Sequence, residues 1–433
     1  MKTINVMNKF KSSLFLLFFL FLISGSSVVF ANQTISTKGD DDNFSEYKGL
    51  VVEHKSGKPL AYANLLIDGT NISTVSNSEG LFSLKVPKEI THPKITVSFI
   101  GFKNKSITLT VNNQEMMRVE MESTAVALPE INVITKDADL LIQKVFEKKG
   151  ENYSNDQAQM TAFYRETIKK NGSYVSLSEA VVEILKQPYS SFRSDAVKLY
   201  KARKKADYTK LDTITFKLQG GPFNSLYLDI MKNPDMIFTE KMMENYEFSF
   251  DSSTHLDNRL IYILDFKQRA STTEPLYSGK LYIDAQNLAL KSAVFSLNVS
   301  NRELASQMFI LKKPFNANVY PTSASYRIDY LEKDGKWYYG YSRIELSLRV
   351  NWKKKLFNTN YHSTIEMAVT DWEINPTKKN LERNERLKTN VIISDEASGF
   401  SDPDFWGEYN VIEPEKSIET AIKKIQKKLE KKK

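Results

Sequence analysis

Residues 161–180 read TAFYRETIKKNGSYVSLSEA. The dipeptide Asn171-Gly172 divides two runs in which bulky and polar residues alternate, the pattern of two strands joined by a two-residue turn. Asn-Gly favours the type I′ turn, whose twist matches that of paired strands. With that turn, Lys170 faces Ser173, Ile168 faces Val175, Glu166 faces Leu177 and Tyr164 faces Glu179. Side chains two apart share a face, so Tyr164, Glu166, Ile168, Val175, Leu177 and Glu179 line one wall. Phe163, Arg165, Thr167, Lys169, Tyr174, Ser176 and Ser178 line the other. Arg165 and Glu166 therefore point apart and form no ion pair with each other. Glu166 and Glu179 come diagonally together, their backbones about 7 Å apart in ideal sheet geometry.

Two carboxyl groups meeting on an apolar wall can hold separated pKa values and divide the roles of acid and base. Glycoside hydrolysis uses comparable separations. Against that stand a place at the sheet margin, bonds to Arg, Tyr or backbone, and a register slip of one residue, which would exchange the faces. The weight of the reading names no catalytic residue and no enzyme. Tyr164, Glu166, Leu177 and Glu179 are kept as ligand-binding candidates. Trp337 joins them, because Trp337-Tyr338-Tyr339 follows the tight turn Asp334-Gly335 and either lines a ligand wall or packs across strands.

The hairpin is one piece of a longer β-rich stretch. Residues 159–412 carry further strand candidates in RLIYILDF (259–266), GKLYIDAQNLALKSAVFSLNV (279–299) and SRIELSLRV (342–350), with 228–244 and 301–312 as helical or irregular excursions. Twenty-five Phe and twenty-one Tyr in 433 residues suit pleated surfaces. Upstream, 136–158 reads as a linking helix, with Leu140, Leu141, Val145 and Phe146 at helical spacing. Residues 413–433 read as a basic amphipathic helix, with Ile418, Ala421, Ile422, Ile425 and Leu429 on one face. It either docks on the body or meets a partner or an anionic membrane surface.

Residues 48–122 show short alternating strands between turn signals, which suggests a small antiparallel sandwich. In STVSNSEGLFSLKV (73–86), a turn at Asn77–Gly80 feeds a strand with Phe82, Leu84 and Val86 on one side. Gly49 with Val51, Pro59-Leu60-Ala61, Gly69-Thr70, Ser76-Asn77-Ser78-Glu79-Gly80-Leu81-Phe82 and Val97-Ser98-Phe99-Ile100-Gly101-Phe102 resemble the carboxypeptidase-regulatory-like domain. LPEINVIT (128–135) resembles its closing strand. The resemblance implies a seven-stranded prealbumin-like sandwich over 48–135. It also implies a non-catalytic module of the bacterial envelope, which precedes many TonB-dependent receptors in outer membranes. Asn77 stands where that family more often has Asp, which keeps the turn chemistry.

The region that follows is similar to the C-terminal part of exported proteins carrying the same module. This likeness rests on Phe163-Tyr164-Arg165-Glu166, Lys217-Leu218-Gln219-Gly220-Gly221-Pro222 and Phe405-Trp406-Gly407-Glu408-Tyr409. Gly279-Lys280-Leu281-Tyr282-Ile283-Asp284 also resembles a strand and turn of periplasmic lipoprotein carriers, whose open half-barrel holds acyl chains. The fold class is mainly β: the sandwich, then a larger antiparallel curved sheet, half-barrel-like, with flanking helices.

The N-terminus addresses the chain. Lys2, Lys9 and Lys11 precede an unbroken apolar run from Leu14 to Ile23, and Val29 and Ala31 stand where a signal peptidase reads. Residues 1–31 thus read as a cleaved secretory signal, or as an uncleaved anchor if the apolar stretch extends through Val28–Phe30. Residues 32–47 read as a flexible polar leader.

The composition closes off other classes. With no Cys, thiol catalysis, Cys-based zinc sites and disulfides are excluded. His54, His92, His255 and His362 begin no metal-binding pattern, and Gly220-Gly221-Pro222 lacks the Lys-Ser/Thr of a phosphate loop. The formal charge of +8 belongs to the two ends. Residues 1–31 hold three Lys and no acid, 414–433 hold eight Lys and three Glu, and the body between is neutral overall. Nucleic acid is not the expected partner. Lys198, Lys201, Arg203, Lys204 and Lys205 form either a solvated face or a surface for acidic head groups or glycans. The expected protein is an exported, periplasmic or outer-membrane-associated component with a binding or structural role and no cofactor, accommodating a lipid or another apolar ligand in the concave sheet. It would have an envelope-protein or lipid partner, and a peripheral membrane contact through the C-terminal helix. The alternative is a hydrolase of glycans or esters using Glu166 and Glu179.

Overall fold

Short alternating runs leave one face of each small sheet apolar, and that face is buried by stacking a second sheet on it. The computed structural model describes residues 43–110, 116–124, 137–206, 215–310, 313, 315–353, 356–375, 380–397 and 405–420, together with the backbone of 18–21. In the N-terminal region, β1 (Phe44–Glu53), β4 (Leu81–Pro87) and β7 (Met117–Met121) form a three-stranded sheet in the order β4-β1-β7. Strands β2 (Asn64–Ile67), β3 (Ser73–Val75), β5 (Lys94–Ser98) and β6 (Lys105–Thr108) form a four-stranded sheet in the order β3-β2-β5-β6. Val51, Leu65, Phe82, Leu84, Ile95 and Val97 meet between the two sheets.

Seven strands are present, as the expected sandwich requires, but it is not wholly antiparallel, since β1 and β7 run parallel with Gly49 facing Met117. The expected closing strand at 128–135 lies outside the described residues. The Asn77–Gly80 turn is closed as its residues dictate. Asn77 Oδ1 accepts from the amides of Glu79 and Leu81 at 2.9 and 3.0 Å. Gly80 has φ +77, and a Cβ there would lie 2.7 Å from the Val51 carbonyl oxygen. The leader is shorter than the sequence suggests. Phe44 to Tyr47 already pair with β4, because Tyr47 supplies a buried aromatic ring to the sandwich core. Of residues 1–42, the strand Phe18–Phe21, antiparallel to Thr215–Leu218, is described; the rest of the expected signal and leader lies outside the described residues.

The expected linking helix is two helices, α1 (Ala138–Glu147) and α2 (Lys149–Asn152). The Asp137 side chain caps α1 by accepting from the amides of Asp139 and Leu140, and Leu141, Ile142 and Val145 face inward. Ten strands follow: β8 (Ala158–Lys170), β9 (Ser173–Lys186), β10 (Ala196–Ala206), β11 (Tyr246–Leu256), β12 (Arg259–Gln268), β13 (Tyr277–Asp284), β14 (Leu290–Leu297), β15 (Ala317–Lys333), β16 (Lys336–Trp352) and β17 (Thr359–Ile374). They make one antiparallel, curved, unclosed sheet in the order β10-β9-β8-β17-β16-β15-β14-β13-β12-β11.

Four short helices interrupt the strands: α3 (Pro222–Tyr227), α4 (Glu240–Met243), α5 (Arg302–Phe309) and α6 (Ile393–Glu396). Of the expected excursions, 228–244 holds α4 and 301–312 holds α5, while α3 and α6 lie outside both. The Gly220-Gly221-Pro222 stretch is a turn into α3 with Pro at its start, as expected for chain that only changes direction.

The two faces of the large sheet have different coverings. On the inner face, α1 and the 222–238 excursion close over a core that includes Tyr153, Phe238, Tyr246, Phe266, Phe295 and Tyr330. On the outer face lie the sandwich and a C-terminal strap, residues 405–420. Ser73 Oγ donates to the Val369 carbonyl at 3.1 Å, and Tyr62 stacks on Tyr341 at 5.4 Å. The strap bonds to both domains: Asn410 Oδ1 accepts from the Lys85 amide at 2.6 Å, and Trp406 meets Phe163 edge-on at 5.5 Å.

Close approach of β13 and β14 requires the absence of a side chain at Gly279, where a Cβ would overlap the Val294 carbonyl oxygen. Gly279→Val is expected to lower the stability of the sheet by about 1–3 kcal/mol or more. A reduced denaturant midpoint, followed by tyrosine and tryptophan fluorescence, is the readout.

Candidate functional site

The hairpin of 161–180 forms around the expected turn, with Asn171 and Gly172 both at positive φ, 47° and 81°. Its register departs from the simple pairing at one residue. Tyr174 faces Lys169 but Ser176 faces Ile168, so Val175 is an extra residue on β9, a β-bulge. Beyond it every partner shifts: Ser178 faces Glu166 and Glu179 faces Arg165. Leu177 and Glu179 therefore lie on the outer face with Arg165, while Tyr164 and Glu166 stay on the inner one. The expected diagonal pair of Glu166 and Glu179 does not exist. The physical reason is charge: Glu179 is buried, and its cations are on the outer face. Arg165 and Glu166 point apart, as the alternation requires.

Arg165 is the centre of the outer-face site. Its guanidinium lies 2.7 Å from Glu179 Oε1 and 3.3 Å from Glu366 Oε1, and it donates to the Ile412 carbonyl of the strap at 2.7 Å. Arg203 holds the other oxygen of Glu179 at 2.8 Å. Glu366 also accepts from Arg343 at 2.9 Å and from the Tyr341 hydroxyl at 3.3 Å, and Arg343 pairs with Glu345 at 2.7 Å. Arg165 and Glu179 are 2% and 1% exposed, so these charges survive only as a mutually satisfied set. Burial opposes the charged form of Glu179, but Arg165 and Arg203 win and hold its carboxyl below the usual range.

Beside this set opens a polar cleft of about 300 Å³, built by three parts of the chain: Tyr62 from the sandwich, Arg165, Arg343 and His362 from the sheet, and Glu415 from the strap. Burial pushes the Tyr62 hydroxyl up to about 12, with Arg343 acting against it. Burial lowers the His362 pKa. Its ring contacts Ser347 Oγ at 3.0 Å and Thr364 Oγ1 at 3.3 Å. The arrangement can orient a polar ligand, and Glu179 and Glu366 are each held by two arginines.

The remaining candidates belong to the inner face. The Tyr164 hydroxyl donates to Glu166 at 3.0 Å, and burial raises the Glu166 pKa to about 7. Trp337 is buried, its ring beneath Arg259 at 5.4 Å and Lys291 at 5.8 Å, so it is part of the core and not an open wall. Burial brings Lys291 down to about 8 while it donates to the Tyr330 carbonyl. A second ionic set joins Lys186 to Asp195 at 2.7 Å and to Asp229 at 2.8 Å, with the Tyr330 hydroxyl on Asp229 at 2.9 Å.

The basic run of β10 is engaged within the chain. Lys198 pairs with Glu385 at 2.6 Å, Lys201 donates to the Phe405 carbonyl, Arg203 holds Glu179, and Lys204 donates to the Ser394 carbonyl at 2.6 Å. The Lys205 side chain lies outside the described residues. Of the expected C-terminal helix, 413–415 are not helical, 416–420 are, and 421–433 lie outside the described residues. No three His, Asp or Glu side chains among the described residues are placed to hold a metal ion.

The glycine turn, the seven strands and the Asn77 corner that supply one wall of the cleft also carry a family pattern. Residues 47–133 match the CarboxypepD_reg-like domain. This regulatory-like domain is followed by the larger β-rich region. No curated protein matches the chain. Among solved structures, a DUF1329 family protein from Desulfovibrio piger is similar over 57% of this chain and 96% of its own, at 10% identity and a TM-score of 0.24. Lipovitellin is similar over 54% of this chain and 27% of its own, at 9% identity and a TM-score of 0.25. Likenesses this slight carry no argument about function. No helix among the described residues is long and apolar enough to cross a membrane, which says nothing about strands.

Two substitutions separate the faces. Arg165→Met leaves Glu179 and Glu366 short of a cation and is expected to cost about 3–5 kcal/mol in chemical denaturation. Glu166→Gln acts through pH. Because folding raises the Glu166 pKa from 4.5 to about 7, the folded state binds more protons between those values, and stability falls as pH rises through that window. Relative to the parent chain, Glu166→Gln is expected to be stabilised by roughly 3 kcal/mol at about pH 8 and to show little difference near pH 4. Urea midpoints across the range give the comparison.

Proposed function

We propose that this is an exported, non-catalytic envelope protein, whose regulatory-like domain and ten-stranded sheet act as one binding or structural unit. The observation that carries the reading is the jointly built cleft. Sandwich, sheet and strap each contribute a wall, and the charged groups beneath it are matched to one another. A site assembled from both domains makes their mutual placement the functional property, as in an adaptor that presents a fixed surface to another envelope component.

The apolar h-region with its preceding lysines, and the regulatory-like domain itself, support export to the periplasm or the outer membrane. The hydrolase alternative loses its two-carboxylate pair, since Glu166 and Glu179 face opposite sides of the sheet. A lipid partner remains compatible with the fold, but the inner face is occupied by the protein's own aromatic rings. An acyl chain would therefore meet this protein from outside.

Fractionation of the native host followed by N-terminal sequencing and turnover assays tests the reading. The expected result is recovery with the envelope, a mature chain beginning after Ala31, and no turnover of a glycan and ester panel. Cytoplasmic recovery with Met1 intact would overturn export. Turnover lost in Glu366→Gln or Glu166→Gln would overturn the non-catalytic assignment.

A further inference from the structure

One end of the large sheet presents large apolar side chains to water. Phe315, Leu356 and Phe357 are 93%, 90% and 79% exposed. Sheet register brings them to the same place. Ala317 at the start of β15 pairs with Trp352 at the end of β16, and the Lys353 amide donates to the Asn316 carbonyl at 3.0 Å. The next turn joins β16 to β17, where Val350 faces Thr359, so Leu356 and Phe357 project from the adjacent loop. Neighbouring strands are about 5 Å apart, which makes the two loops one tip. Isolated exposed apolar residues are ordinary, but a cluster of them at one tip marks a surface that something covers.

The charge around the tip says what covers it. The stretches are KKPF (312–315) and KKKLF (353–357), each with its lysine run ending two residues before the aromatic residue. Lys313 and Lys353 line an open hollow of about 560 Å³ together with Phe315, Ala317 and Trp352, and no carboxylate among the described residues lines it. Neither lysine is in an ion pair among the described residues, unlike the engaged basic run of β10. Lysines beside exposed aromatic rings, with a half-buried Trp behind them, match the boundary of an anionic bilayer, where rings enter the head-group layer and ammonium groups meet phosphates.

We propose that Lys313, Phe315, Lys353, Leu356 and Phe357 form a docking tip for an anionic membrane surface. The tip inserts Phe315, Leu356 and Phe357 at head-group depth, with Lys313 and Lys353 on the lipid phosphates. The tip lies at the opposite end of β17 from Trp372, beside which the sandwich bonds, so the regulatory-like domain stays clear of the bilayer. The envelope reading enters only to supply the membrane; the assay below reads the tip whether or not that reading holds.

The test is flotation of the purified chain with vesicles of phosphatidylglycerol and phosphatidylethanolamine, compared with phosphatidylcholine alone. The expected result is salt-sensitive binding to the anionic vesicles, weakened at least about tenfold by Lys313→Glu with Lys353→Glu. A comparable loss is expected in Phe315→Ser with Phe357→Ser, with circular dichroism and melting unchanged because all four side chains are at the surface. A third variant, Ile422→Ser with Ile425→Ser, reads the C-terminal helix separately. Loss of binding confined to that variant, or no binding by the parent chain, would overturn the proposal. Self-association abolished by Phe315→Ser with Phe357→Ser, without vesicle binding, would assign the tip to a second copy and overturn it equally.

Discussion

A carboxylate that is 1% exposed has to be met by cation on every open side, and Glu179 imposes that condition on the whole molecule. Arg165 satisfies one oxygen from β8 and Arg203 the other from β10, so a single side chain fixes the register of β9 against both neighbours. Arg165 then reaches beyond the sheet to the Ile412 carbonyl, and the strap carries the connection to the sandwich through Asn410 and Lys85. The buried charge thus ties the sheet to the sandwich through the strap, alongside the direct contacts of Ser73 and Tyr62 with the sheet. The interaction adds little net stability over an apolar equivalent; its contribution is that other registers leave the charge unmatched.

The same hairpin sends its other acid, Glu166, into the apolar interior, where a tyrosine hydroxyl is its hydrogen-bond donor. One acid is held ionised by arginines and the other is driven toward the neutral form by burial. Sheet alternation puts these opposite environments within one short stretch of chain. Lys186 shows the third solution on the inner face: it is fully enclosed, yet two aspartates keep it charged against the effect of burial.

Much of this architecture was legible in the sequence because it rests on local rules. Asn171-Gly172 and Asp334-Gly335 make tight turns with both residues at positive φ, and the sandwich strands follow their apolar alternation. The site was less legible, for two physical reasons. The bulge at Val175 has no residue signature, since an ordinary valine simply adds one to the count, and that one residue moves Leu177 and Glu179 to the other face. Arg343 and Glu345 alternate along β16 as a solvated face would. Nothing local announces that the sandwich and strap cover that face through Tyr62 and Glu415. The run at 198–204 misled in the same way, its cations being met by segments about two hundred residues later. The strap did leave one trace, the aromatic island Phe405-Trp406-Gly407-Glu408-Tyr409 in an otherwise polar tail.

Leaving a ten-stranded sheet unclosed exposes two rims of peptide groups on which a further chain could template and polymerise. Each rim is blunted by the protein itself. Along β10, the Leu387 amide takes the Val197 carbonyl, and residues around Arg386 run beside Lys198 in place of an eleventh strand. At β11, the Gly101 amide occupies the His255 carbonyl at one end, and the strand is interrupted between Phe250 and Ser253, where Asp251 turns to Lys280. The regulatory-like domain therefore also guards part of one rim, occupying peptide groups on which a further strand would otherwise pair.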